Sequence, residues 1–178
     1  NGAIRVFSMK TTIEGADLLV PGPVLLFVRH SSTADTALSA ALLANPLGVR
    51  LRYVLKRELL WDPCLEIVGR RLPNAFIERS SAARAANMSA IRSLATGLDE
   101  RTGVLIYPEG TRFSAEKLAR AVQRLADSEH PELASNAADF RHVLPPRLGG
   151  PLELVDAAPD AAVVFVDHRG FEGAATFG

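Results

Sequence analysis

The stretch Val24-Leu25-Leu26-Phe27-Val28-Arg29-His30 constrains this chain more than any other. Pro21-Gly22-Pro23 breaks whatever precedes it, an unbroken apolar run follows, and the run ends abruptly on Arg29 and His30. A short apolar run bounded by breakers reads as a buried strand. Ser31, Ser32 and Thr33 are good helix N-caps, and ALSAALLAN after Asp35 is strongly helix-forming. The pattern therefore predicts a helix over 33–44, stopped by Asn45-Pro46 because proline cannot continue it. His30 then stands at a strand-to-helix junction, where sheet proteins place their chemistry. Asp35 falls in the first helical turn, within reach of the imidazole. A carboxylate on one ring nitrogen fixes the tautomer and leaves the other nitrogen to take a proton, as in a general base with its orienter. The same spacing also fits an acidic residue favoured at a helix start by the dipole alone.

The rest of the chain repeats the alternation of strand and helix. A short strand at Ile4–Phe7 precedes the first clear one. Val49 to Leu55 alternates and reads as a second strand, with Lys56, Arg57 and Glu58 at its end and the apolar Leu59-Leu60-Trp61 beyond. A short helix is expected from Cys64 to Arg70. Ala75-Phe76-Ile77 is a third strand running into Glu78 and Arg79, and Ser80 or Ser81 should cap the helix after it. In that helix Met88, Ile91, Leu94, Ala95 and Leu98 share one face, as a core stripe does. Thr102-Gly103 reads as a break before a fourth strand, Val104 to Tyr107, and Pro108-Glu109-Gly110-Thr111-Arg112-Phe113 follows at once. A helix over 115–128, a strand over 141–144 closed by Pro145-Pro146, and a last strand over 161–166 complete the pattern. This is an α/β domain: a single layered domain over 1–178, with a largely parallel, mixed central sheet flanked by helices.

Composition narrows the function classes. The 20 basic and 20 acidic residues balance, which argues against a dedicated nucleic-acid binder. Their distribution is uneven. Residues 50–92 hold nine Lys/Arg against four Asp/Glu, a net of +5, and residues 93–178 hold eight against thirteen, a net of −5. The middle third can face an anionic partner, or be a solvated face paired to the acidic third. The one cysteine, Cys64, excludes an internal disulfide framework and a cysteine-rich zinc site, and its apolar neighbours suggest a buried, inert thiol. No run of about eighteen apolar residues is present to span a membrane. A start at Asn1 fits an excised domain or a processed chain.

Three polar clusters fall at predicted strand ends: Arg29–Asp35, Glu78–Arg79 and Glu109–Arg112. Their order resembles the glycerolipid acyltransferase family, the phospholipid/glycerol acyltransferases that make phosphatidate from lysophosphatidate. His30 and Asp35 match that family's His-x-x-x-x-Asp, Phe76-Ile77-Glu78-Arg79 its Phe-Ile-x-Arg block, and Pro108 to Arg112 its Pro-Glu-Gly-Thr-Arg block. Val143-Leu144-Pro145-Pro146 echoes its late Pro-Pro block, and Lys56-Arg57-Glu58-Leu59 a Lys-x-Glu-Leu after the second strand. The resemblance covers about 24–170. Arg29 departs from it, since the family commonly has asparagine before the histidine.

The resemblance implies acyl transfer from a thioester, acyl-CoA or acyl-carrier protein, to the hydroxyl of a lysophosphatidate-like acceptor, without a cofactor or metal. His30 would be the base and Asp35 its orienter. Arg79 and Arg112 would hold the acceptor phosphate through paired N–H donors, with Lys56 adding charge. Phe76, Ile77, Glu109, Gly110 and Thr111 would shape the acceptor site. Each residue also has a plainer reading: Glu109 with Arg112 as an ion pair at a helix start, and Arg79 paired with Glu78 or Asp62. His130, His142 and His168 sit in no matching pattern and read as structural or exposed. Two other functions compete with acyl transfer. One is a serine-type thioesterase or lipid hydrolase using Ser31 or Ser32, for which a Gly-x-Ser-x-Gly elbow is missing. The other is a non-catalytic lipid-binding module. Acyl-chain substrates imply a peripheral protein at the cytoplasmic face of a membrane, touching it through Leu59, Leu60 and Trp61 unless Trp61 is core.

Overall fold

A computed structural model describes residues 10–18, 22–32, 35, 39–44 and 48–170. The strand expected at Ile4–Phe7 lies outside the described residues, and the helix expected over 33–44 lies only partly within them. Asp35 and Ser39 are helical there, and Ala40–Ala44 forms a π-helical turn.

Among the described residues five strands build one sheet: β1 (Val24–Val28), β2 (Arg50–Lys56), β3 (Ala75–Ile77), β4 (Thr102–Ile106) and β5 (Ala162–Val166). Their order is β3-β2-β4-β1-β5, and every pair is parallel. The antiparallel element implied by a mixed sheet does not occur among the described residues. β1 lies between β4 and β5, with Leu25 opposite both Val104 and Val163. All five of its residues are buried. Side chains alternate across a strand, so a strand covered on both faces must be apolar throughout. Leu25 and Phe27 pack on one face with Ile91, Leu94, Val104, Ile106 and Leu154. Val24, Leu26 and Val28 pack on the other with Ala44, Leu51 and Leu105.

Among the described residues five α-helices accompany the sheet: α1 (Pro63–Arg71), α2 (Arg84–Leu94), α3 (Ala115–Ala126), α4 (Glu132–Ala138) and α5 (Gly149–Ala157). A 3₁₀ turn, Arg57–Trp61, joins β2 to α1. The core stripe of α2 is as expected, but its start is not. The helix begins at Arg84 and its N-cap position, Ala83, makes no side-chain cap; the Ser80 hydroxyl instead accepts from the Ala83 N–H at 3.2 Å, closing the turn before it.

Three other departures have physical causes. Thr102 and Gly103 belong to β4 rather than breaking before it. A Cβ at Gly103 would stand 2.7 Å from Val24 Cγ1 and 2.8 Å from the Val24 carbonyl oxygen, so glycine here permits close pairing with β1. Residues 141–144 form no strand. Leu144 and Arg147 send their N–H groups to the Glu109 side chain and the Pro108 carbonyl, and the intervening prolines have no N–H to give. Helix α5, hidden in sequence by Gly149-Gly150-Pro151, starts where proline costs no intrahelical bond. A Cβ at Gly150 would meet Ile106 at 3.0 Å, so glycine lets the helix approach the sheet.

Because all strands are parallel, all five C-terminal ends reach one edge. They deliver Arg29-His30, Lys56, Glu78-Arg79, Tyr107 to Arg112, and Asp167-His168. Open sheets bind ligands at that edge.

Candidate active site

His30 leaves β1 held at both main-chain groups. Its N–H donates to Glu109 Oε1 at 2.9 Å, and its carbonyl accepts from the Phe113 N–H at 3.0 Å. Its ring stacks on Tyr107, with centroids 4.3 Å apart and 23° between planes. Nδ1 lies 2.9 Å from Asp35 Oδ2. The same oxygen accepts the Ser31 and Ser32 N–H groups at 2.8 and 2.9 Å. Asp35 is 1% exposed. Burial is the largest single influence on its carboxyl and opposes the charge. The His168 contact, with hydrogen bonds from His30, Ser32 and Ser31, outweighs it and holds the group well below the ordinary carboxylate range. An ionised Asp35 places the neutral ring's proton on Nδ1, which leaves Nε2 as the acceptor.

The structure adds a partner that the sequence reading assigned no role. His168, just past β5, sets Nε2 3.3 Å from the other Asp35 oxygen, Oδ1. Arg29, itself buried, holds that segment. Its Nε donates to the His142 carbonyl at 3.1 Å, and its Nη1 to Asp167 Oδ1 at 3.2 Å and to the His168 carbonyl at 2.7 Å. The only sequence signal for His168 was its place, like His30, just beyond an apolar strand.

The Glu109 side chain serves the main chain on both oxygens. Its Oε1 takes the His30 N–H and its Oε2 the Leu144 N–H at 2.8 Å. Burial raises its carboxyl above the ordinary 4.5 despite these two donors. Gly110, at φ 68°, turns the chain in a conformation that favours glycine, and a Cβ there would meet Arg147 Cδ at 3.1 Å. Glu78 is paired with Arg57 at 2.9 Å, not with its neighbour Arg79. Asn87 of α2 fixes the Glu78 main chain from both sides, at 2.6 and 3.1 Å, and so sets where Arg79 emerges.

Four cations from four segments gather near the same edge. Partial desolvation, then the charges of Arg79, Arg112 and Lys117, push the Lys56 ammonium below its ordinary 10.5, against the pull of Glu58. Lys117 was not anticipated. Its Nζ donates to Thr111 Oγ1 at 3.2 Å and to the Arg112 carbonyl at 2.8 Å, tying the loop after β4 to the first turn of α3. A lysine in a first helical turn opposes the dipole, a sequence-level hint that it has other work. Phe76 and Ile77 are not among these polar groups. Phe76 packs over Gly69 of α1 and Ile77 against the core, so they position the strand that presents Arg79.

Ser31 and Ser32 are 6% and 0% exposed, so neither offers an accessible nucleophile. Cys64 is exposed, contrary to the buried thiol expected, because it falls in the first turn of α1, within the exposed run Trp61-Asp62-Pro63-Cys64. Trp61 is 85% exposed and is not core.

The His30–Asp35 pair and the cluster of cations thus both lie at the C-terminal edge of a parallel sheet. The chain belongs to the Acyltransferase family, whose model matches residues 10–137, and it is therefore an acyltransferase. No curated protein and no solved structure matches it significantly. His142, Leu144 and His168 lie beyond the matched segment.

Proposed function

We propose that this acyltransferase moves a fatty acyl group from a thioester, acyl-CoA or acyl-carrier protein, to the hydroxyl of a lysophosphatidate-like glycerolipid. The observation that carries this reading is the 2.9 Å His30–Asp35 contact at the sheet edge that also gathers Lys56, Arg79, Arg112 and Lys117. In this reading Nε2 of His30 takes the acceptor hydroxyl's proton as the oxygen attacks the thioester carbonyl. The tetrahedral intermediate collapses, the carbon–sulfur bond breaks, and the thiolate leaves with the proton from His30, giving ester and free thiol. The clustered cations suit a phosphomonoester, which offers three acceptor oxygens and up to two negative charges.

The acyl substrates favour a peripheral location at the cytoplasmic face of a membrane. No helix among the described residues is long and apolar enough to cross one. Trp61, Ile67 and Leu72 are exposed near Arg57, Arg70 and Arg71 in sequence, a composition suited to a headgroup boundary. A labelled acyl-thioester assay across lysophospholipid acceptors tests the reaction. Acyl transfer to lysophosphatidate supports it, and hydrolysis at the same rate with or without acceptor would replace it with a thioesterase.

A further inference from the structure

The least expected feature of the site is the second imidazole on Asp35. Oδ2 serves His30 and two main-chain N–H groups, and Oδ1 faces His168 Nε2 at 3.3 Å. Both ring nitrogens of His168 are buried, so it cannot take a proton from a substrate. Its position is built. Arg29 grips the His168 carbonyl and Asp167 Oδ1, and the same Asp167 oxygen accepts the His168 N–H at 2.8 Å.

We propose that His168 is a positioning residue for the base: it engages the second oxygen of Asp35 and, when charged, limits how strongly Asp35 draws a proton onto His30. The proposal rests on His30 being the base. Its physical logic is the sharing of one negative charge. A cationic His168 across the carboxylate disfavours a second cation on the same carboxylate. The local charges support this state. The contact with Asp35 is the largest influence on His168. With the Asp35 charge and the nearby Arg29 backbone, it raises the ring above its ordinary 6.5, against burial and the Arg29 guanidinium. The other groups facing the pair are Glu109, which takes the His30 N–H, the Tyr107 ring stacked on His30, and Asp167 beside His168.

The direct test is an NMR titration of the imidazole nitrogens, which needs no substrate. His168→Gln keeps an N–H donor but cannot carry charge. In it the His30 midpoint should rise by about one pH unit, the scale expected for losing a nearby like charge. The acid limb of kcat/KM should move the same way. His168→Ala removes the donor as well and should also lower the alkaline plateau, by about tenfold. A His30 midpoint unchanged in His168→Gln would overturn the proposal. If that variant does not fold, Asp35→Asn serves in its place: the His168 midpoint must fall, and its failure to do so overturns the contact. Should His30 respond as expected while no acceptor is acylated, the inference holds and only the proposed reaction is lost.

Discussion

Glu109 and His30 are joined through the main chain. The buried carboxylate takes the His30 N–H on one oxygen and the Leu144 N–H on the other, at 2.9 and 2.8 Å. One side chain thus fixes the histidine at the end of β1 and docks the proline-rich segment from across the chain onto the loop after β4. Glu109→Gln keeps one acceptor and turns an amide donor toward the other N–H. It should cost about 1–3 kcal/mol of stability, the usual penalty of a buried unsatisfied group. It should also lower kcat by about tenfold or more with little change in acceptor KM. Urea unfolding with steady-state kinetics checks both, and wild-type values for both would remove Glu109 from the positioning network.

Arg112 should set acceptor choice. With lysophosphatidate, Arg112→Ala should lose about ten- to a hundredfold in kcat/KM, the worth of a charge-assisted hydrogen bond. Arg112→Lys should recover part of this, because it keeps the charge but not the fork. An uncharged monoacylglycerol should be used about equally by wild type and Arg112→Ala. Equal losses with both acceptors would make Arg112 structural.

Stability should carry the signature of the Asp35–His168 contact. His168 is raised in the folded state, so its contribution is fully present below 6.5 and is lost as pH rises through the folded value. Asp35 is depressed, so its contribution is present above 3.8 and is lost as pH falls through the folded value. The unfolding free-energy difference between wild type and His168→Gln should therefore be largest near about pH 6 and shrink toward about pH 9. Chemical denaturation across that range checks it, and a pH-independent difference would contradict the charge assignment.

Sequence reasoning reached most of the fold because the strands advertise themselves. β1 is apolar throughout, β4 is apolar from Val104 onward, and Ala75-Phe76-Ile77 marks β3 to the residue. It failed where tertiary contact overrides local signal. Gly103 looks like a break but pairs closely with Val24, and Gly149-Gly150-Pro151 looks like a loop but opens a helix packed under Ile106. The site divides in the same way. His30 and Asp35 are five residues apart, and their contact is local. His168 meets Asp35, and Leu144 meets Glu109, only because the parallel sheet brings distant strand ends to one edge. A single sequence carries no spacing rule for such pairs.

Gly103 offers a test of that edge-building core. Gly103→Ala must push Val24 or the β1 backbone aside, at a cost of about 1–3 kcal/mol for overpacking. Because β1 carries His30, activity should fall with stability. A thermal melt within a degree of wild type would show that the strands can separate to admit the methyl group.

The proposed membrane contact depends on Trp61, exposed on the turn after β2. Trp61→Ala should reduce flotation with anionic liposomes while leaving transfer to a detergent-dispersed acceptor near wild type. Unchanged flotation would place the contact elsewhere.

The most direct measurement for the account is transfer of a labelled acyl group from acyl-CoA, and separately from acyl-carrier protein, to lysophosphatidate by wild type and His30→Ala. General base assistance contributes about 10²–10⁴-fold, and the buried nitrogens of His168 leave it unable to substitute. Wild type should transfer from at least one donor, and His30→Ala should show a loss of that order with the fold intact by circular dichroism. A folded His30→Ala variant retaining half of wild-type transfer would contradict it.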